Sequence, residues 1–326
     1  MKKTISIILA ILTLTLTFAS CKKPEESSNS TIRVAGMTGP TGIGLVSLAD
    51  KSEKSETNQK YNVSFYTKAD EIVPLLVKGE LDIAAVPANL AAIQFNKNNG
   101  YVQVVAINNL GVLSILEKGA SVNSVEDLKG KTIYAPISGK GAVPEYALNY
   151  ILKENGLDPI NDVTVEWKTE VTEIIAALKK TGGIAMLPQP AATNALAKVD
   201  GLREAININE AWNALGTDSK LVTGVIVARA EFVQNNPEAI SKFLEEYEYS
   251  ANFAIKNTEE AAKLTAKYGI SEEAVALKSI PKCNITFIKG AEMKKTLSAY
   301  LKTLFDANAT SIGGSMPTDS FYYVEK

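Results

Sequence analysis

The sequence predicts an α/β protein of two lobes, each a mostly parallel sheet flanked by helices, with a ligand cleft between the lobes. Three observations carry that expectation. A β–Gly-loop–α pattern is written twice, roughly 100 residues apart. Strand-like runs join the two copies, and the tail reads almost entirely as amphipathic helix.

The first copy opens on Thr31–Ala35, a short strand, and continues into the Gly-rich turn Gly36–Gly44. Pro40 suits the first position of a helix, where its missing N–H is one that a helix start leaves unbonded anyway, and that helix is expected to run on through Leu45 and Leu48. Val63–Tyr66 alternates as a strand, and a helix follows over about Asp70–Lys78. The apolar run Ile83–Val86 then reads as a buried strand ending at Pro87-Ala88-Asn89 and a further helix.

The second copy repeats this order. Thr132–Ala135 is a short strand, Ser138–Gly141 a second Gly-rich turn, and a helix runs through Tyr146, Tyr150 and Ile151 to Gly156, a C′ residue. Val163–Trp167, a helix over about Val171–Lys180, and Ile184–Leu187 ending at Pro188-Gln189-Pro190 complete it. Strands alternating with crossover helices are the pattern of parallel sheets, and two such units imply two lobes.

Val102–Ile107 and Val112–Leu116, with Asn108-Asn109 between them, and Val222–Ala228 read as the two crossings between lobes. Lobe 2 is then an insertion, residues 116–222, and lobe 1 comprises residues 31–115 with 223–326. In the tail, Asn236-Pro237-Glu238, Asn257-Thr258-Glu259 and Ser271-Glu272-Glu273 look like helix starts, and the tail is expected to wrap lobe 1.

The N-terminus bears on the compartment. Lys2 and Lys3, the apolar run Ile5–Phe18 and the small pair Ala19-Ser20 predict a secretory signal peptide over residues 1–20. Residues 22–31 are a Lys/Pro/Glu/Ser/Asn/Thr tract with little to bury, so residues 21–30 are expected to form a flexible tether beginning at Cys21. The chain carries 34 basic and 36 acidic residues, and loss of the leader removes two lysines more. That mildly acidic balance, without a basic cluster, argues against nucleic-acid binding. There is no His, which excludes Ser-His-Asp and Cys-His nucleophile pairs and His-containing zinc sites. Cys283 is the only thiol besides Cys21, so no disulfide framework is available. No cofactor is expected.

Several motifs together carry a family resemblance. Phe18-Ala19-Ser20-Cys21 resembles the lipobox of bacterial lipoproteins, in which the Cys is acylated, although Phe18 departs from the usual Leu. With the tether, the β–Gly-loop–α opening, Ser124–Lys131 and the helical tail, the chain resembles the type II periplasmic binding proteins. Gly79–Ala84, Pro87-Ala88-Asn89 and Met186–Pro190 bring it nearest the nitrate/sulfonate/taurine-type branch, which also contains proteins binding thiamine-precursor pyrimidines. The resemblance spans about residues 31–305. It implies an extracytoplasmic lipoprotein, monomeric and not an enzyme, that takes a small sulfonate- or pyrimidine-like molecule and passes it to an ABC permease and its ATPase. One group of relatives makes a pyrimidine from a histidine and pyridoxal phosphate, and a chain without His does not offer that chemistry.

In open parallel sheets, ligands sit beyond the carboxyl ends of the strands, where loops lead into helices. Four such segments should converge: Met37–Gly42, Pro87–Asn89, Ser138–Gly141 and Pro188–Pro190. Glycine lets the backbone approach a ligand and present free N–H groups, and helix starts favour anions. The candidate contacts are Thr38, Thr41, Asn89, Ser138, Lys140 and Gln189, with Asn108 and Asn109 at the hinge and Glu170 at a helix start. Most have a plainer explanation: Thr38, Thr41 and Ser138 as members of turns that only reverse the chain, Asn89 as a helix cap, Asn108 and Asn109 as hinge backbone partners, Lys140 as a solvated charge, and Glu170, like Asp70, as helix-dipole compensation. Gln189, between two prolines, has no evident local structural purpose. Trp167 and Tyr134 could stack on a flat ring, or serve the core. A surface receptor feeding a signalling partner, or an enzyme using Glu170 with Lys140, are the alternative functions.

Overall fold

The structure, a computed structural model, describes residues 31–324; the leader, Cys21 and the tether lie outside the described residues. Eleven strands are found among them: β1 (Ile32–Met37), β2 (Tyr61–Tyr66), β3 (Ile83–Pro87), β4 (Val102–Leu110), β5 (Leu113–Lys118), β6 (Thr132–Pro136), β7 (Thr164–Lys168), β8 (Gly183–Pro188), β9 (Leu202–Asn207), β10 (Val222–Arg229) and β11 (Ile285–Ile288). They form a six-stranded sheet in the order β11-β4-β10-β3-β1-β2 and a five-stranded sheet in the order β7-β6-β8-β5-β9.

The doubling predicted from the sequence is a doubling of topology. In the first sheet β1 lies between β2 and β3, parallel to both; in the second β6 lies between β7 and β8, again parallel to both. The central strands β3 and β8 are buried along Ile83–Val86 and Ile184–Leu187, which is why each reads as an unbroken apolar run. At the edge of the second sheet β7 instead alternates, with Thr164 and Glu166 exposed, and this discourages pairing with another chain.

Both sheets are mixed, beyond their parallel cores. The chain leaves β4 at Leu110 and enters the second sheet as β5; it returns to the first sheet as β10. Each crossing strand runs antiparallel beside the third parallel strand of the sheet it enters, Ile115 opposite Met186 and Ile226 opposite Ala85. Local periodicity cannot reveal these pairings, because the partners are distant in sequence.

Two local expectations are corrected. The helix from Pro40 breaks into Pro40–Ile43 and Val46–Glu53. Gly44 sits at the break, where a Cβ would lie 2.5 Å from the Tyr247 hydroxyl. At the opening of the second sheet, the Asp127 carboxylate accepts from the Asn123 and Ser124 amides at 2.8 and 3.0 Å, at the start of the short turn Glu126–Leu128. The tail is not helix alone and does not wrap the first sheet alone. It contains β11, its helix Glu273–Ser279 packs on the helix Ala191–Lys198, and its helix Gly290–Ala307 reaches the helix Val143–Glu154. Tyr300 of the tail closes on Trp212, which lies 4.3 Å from Tyr150, so an aromatic cluster joins the two sheets beside the crossings.

The first sheet is tied together at the end remote from its carboxyl termini. Asp82, 4% exposed, takes Arg33 at 2.6 Å and Arg229 at 2.9 Å. Burial alone would raise its carboxyl, but hydrogen bonds from the Arg33 side chain and amide and from Arg229 outweigh it and hold Asp82 below the usual carboxylate range. Among the described residues no helix is long and apolar enough to cross a membrane.

Candidate functional site

A cleft of about 560 Å³ lies where the carboxyl ends of the parallel strands of both sheets meet. The loop after β1 contributes Met37 to Thr41, and Thr67 and Pro87 follow β2 and end β3. From the second sheet come Ser138, Val143, Val171 and Gln189. The crossings add Val112, Leu113 and Thr223 to its wall.

Of the predicted contacts, Thr38, Thr41, Ser138 and Gln189 are brought together around this cleft. Asn89, Asn108 and Asn109 are buried and do not line it. Asn89 Nδ2 points to the Ser311 carbonyl at 3.4 Å, and Asn109 Nδ2 donates to the Cys283 carbonyl at 3.0 Å. Asn108 Nδ2 donates to the Thr41 carbonyl at 3.2 Å, so it supports a cleft loop from behind. Both asparagines lie within β4, not in the connection after it. Lys140 and Glu170 are exposed and do not line the cleft. Trp167 is half-buried against the Ser138 loop and contributes no face to the cleft wall.

Gln189 is held with defined polarity. Its Oε1 accepts from the Thr193 hydroxyl at 2.7 Å and from the Thr193 amide at 3.3 Å. A backbone amide can only donate, so the oxygen faces Thr193 and the Nε2 group is the end left over. The hydroxyls differ in the same way. Thr67 donates to Glu71 at 2.9 Å and Thr223 to the Leu110 carbonyl at 2.5 Å, so both are engaged within the protein.

The expectation of free loop amides needs correction. Thr38 N–H donates to the Tyr66 carbonyl at 2.8 Å, and Gly42 N–H to the Gly39 carbonyl at 3.0 Å. Gly141 N–H donates to the Glu145 carboxylate at 2.6 Å. The glycines permit tight turns, Gly141 with φ +67°, and the Thr38, Gly42 and Gly141 amides are used within the protein and are not offered to a ligand.

Sequence reasoning missed the tail. Ser271, Glu272 and Val275 line the cleft, delivered by the docking of Glu273–Ser279 onto Ala191–Lys198. Glu272 is the only ionisable side chain among the described residues lining the cleft. The motif Ser271-Glu272-Glu273 signals a helix start, and nothing local says where that helix docks.

Two sheets that face one cleft and are joined by two crossings define the periplasmic-binding-protein fold. Known proteins agree. A family model described as NMT1/THI5 like matches residues 62–261, and the chain belongs to that family. Proteins of Brucella abortus and Brucella suis, named only as binding proteins, are 25% identical over 244 residues, covering 74% of this chain and 72% of theirs. Among solved structures, an ABC transporter protein from Parabacteroides distasonis superposes with a TM-score of 0.76 at 23% identity, over 91% of this chain and 99% of that one. The periplasmic aliphatic sulphonate binding protein of Escherichia coli gives 0.69 at 16% identity, over 86% and 94%. The alkanesulfonate-binding protein of Xanthomonas axonopodis, bound to MOPS, gives 0.65 at 14% identity, over 88% and 94%.

Proposed function

We propose that the protein is the solute-capturing component of an ABC importer, held outside the cytoplasmic membrane by a lipid on Cys21. It takes up a small organic molecule between lobe 1 (residues 31–115 with 223–326) and lobe 2 (residues 116–222), closes on it, and delivers it to a permease driven by its ATPase. It works as a monomer.

The observation that carries this reading is the cleft itself, walled by strand ends of both sheets and by the two crossings. Rotation at Gly111 and around Leu221 would change the gap between the sheets without breaking either one, and excluding water from the ligand is what such closure achieves. Membership of the family and likeness in fold to transport binding proteins support it. Among the described residues lining the cleft Glu272 is the one ionisable group, and Lys140 with Glu170, the pair proposed for an enzyme, lies outside the cleft.

The test is thermal melting of residues 22–326 against pools of small metabolites. A ligand that binds only the folded form stabilises it by RT ln(1 + [L]/Kd), so at least one pool should raise the Tm by several degrees. If no pool does so, the binding reading fails.

A further inference from the structure

We propose that the ligand taken by this cleft carries no anionic group: it is an uncharged or cationic small molecule with an apolar body. The inference rests on the binding reading above and narrows it. Charge, backbone and side-chain polarity each point the same way.

Among the described residues, the cleft wall contains no lysine or arginine, and its one ionisable side chain, Glu272, is an acid. Lys140, the basic residue that the sequence places on the Ser138 loop, is exposed and stands outside the wall. A buried anion needs a countercharge or several amide donors, because it leaves its hydration behind on entry.

Several of the amide donors that could replace a cation are spent or missing. Thr38 and Gly42 donate to carbonyls of their own turns, and Gly141 donates to the Glu145 carboxylate at 2.6 Å, so a negative group of the chain already occupies that position. The Gln189 amide donates to the Val112 carbonyl at 2.9 Å, and the Thr193 amide to the Gln189 side chain. Prolines at 40, 144 and 190 sit at the starts of three helices facing the cleft and supply no N–H at all.

What remains suits a neutral or positive ligand. Gln189 Nε2 offers a donor to a carbonyl, ether or ring nitrogen. The hydroxyls of Thr38, Thr41, Ser138 and Ser271 can donate or accept. Glu272 offers an acceptor to an amine or hydroxyl, and Met37, Leu113, Val143, Val171 and Val275 cover an apolar body. The two sulfonate-binding structures described above, at 16% and 14% identity, are alike in fold alone, and this cleft offers a sulfonate head group no basic side chain among the described residues.

The experiment uses the full chain, purified in detergent, and a bacterial metabolite extract divided by ion exchange into anionic, uncharged and cationic pools. Small molecules retained by the protein are identified by mass spectrometry, with taurine and MOPS added to the anionic pool as reference sulfonates. Retention from the uncharged or cationic pool is expected, and none from the anionic pool. For a retained cation, Glu272→Gln should weaken binding about three- to tenfold without changing the melting of the ligand-free protein. An unchanged affinity there overturns the role given to Glu272. Retention of a sulfonate, carboxylate or phosphonate overturns the inference while leaving the binding reading intact. Retention from no pool overturns both.

Discussion

Asn108 Nδ2 donates to the carbonyl of Thr41 at 3.2 Å, tying a strand that leads into the first crossing to the loop that forms the cleft wall. Gly224 lies against this contact from the other crossing strand. A Cβ there would stand 2.5 Å from Asn108 Oδ1 and 2.6 Å from Thr41 Cγ2. Three segments remote in sequence thus meet at one point behind the cleft, and two of them are the strands that join the sheets.

Gly224→Ala should therefore displace the Thr41 loop. Overpacking of this kind costs about 1–3 kcal/mol in stability. The larger effect is expected on ligand affinity, a loss of about tenfold or more in Kd measured by calorimetry. Asn108→Ala should weaken binding in the same direction with little steric strain.

The polarity of Gln189 depends on Thr193, whose hydroxyl and amide both donate to Oε1. Thr193→Val removes the hydroxyl and leaves one long amide contact, so the side-chain amide is free to reorient. Ligand affinity is predicted to fall by about three- to tenfold, while stability changes by about 1 kcal/mol, the worth of one hydrogen bond. Equal affinity in calorimetry would remove Gln189 from the binding site.

Asp82 should matter to stability and not to binding, because it lies at the strand starts, away from the cleft. Asp82→Asn leaves Arg33 and Arg229 without their charge partner and should cost about 2–3 kcal/mol in urea unfolding, below the full buried-pair range because Arg33 is 39% exposed. The folded carboxyl is held below its unfolded value, so it contributes stability that is present above the ordinary carboxylate value of 3.8 and is lost as pH falls through the lower, folded value. The variant should accordingly lose less stability than the natural protein on acidification below about pH 4.

Cys283 is fully buried, and burial pushes its thiol up to about 12. A thiol so disposed should resist iodoacetamide at pH 8 in the folded protein and react once urea unfolds it. Mass spectrometry of residues 22–326 reads this directly, since Cys21 is absent from that fragment. Its folded value lies above the unfolded one, so the neutral thiol contributes stability that fades as pH rises above about 8.5.

What the sequence revealed was set by local chemistry. Gly and Pro punctuate each strand–loop–helix unit, and buried strands such as Ile83–Val86 advertise themselves as apolar runs. The loops after β1, β6 and β8 were therefore readable as cleft walls, and Thr38, Thr41, Ser138 and Gln189 with them. Properties fixed by distant partners were not readable. The antiparallel strands β5 and β10, the docking that brings Glu272 to the cleft, and the use of the Gly141 amide by Glu145 all depend on tertiary geometry. Charge at a loop gave no guide to direction, and Lys140 and Glu170 point to solvent.

A binding function of this kind requires the cleft between the two sheets to close on a small molecule. Spin labels on Lys68→Cys and Ile137→Cys in residues 22–326 would report the gap, since both positions are exposed beside cleft residues of opposite sheets. Cys283 is too buried to take a label. With the metabolite pool that raises the Tm, pulsed dipolar spectroscopy should show the inter-label distance shorten and its distribution narrow. An unchanged distribution in a protein that the pool does stabilise would mean that the cleft does not close on its ligand.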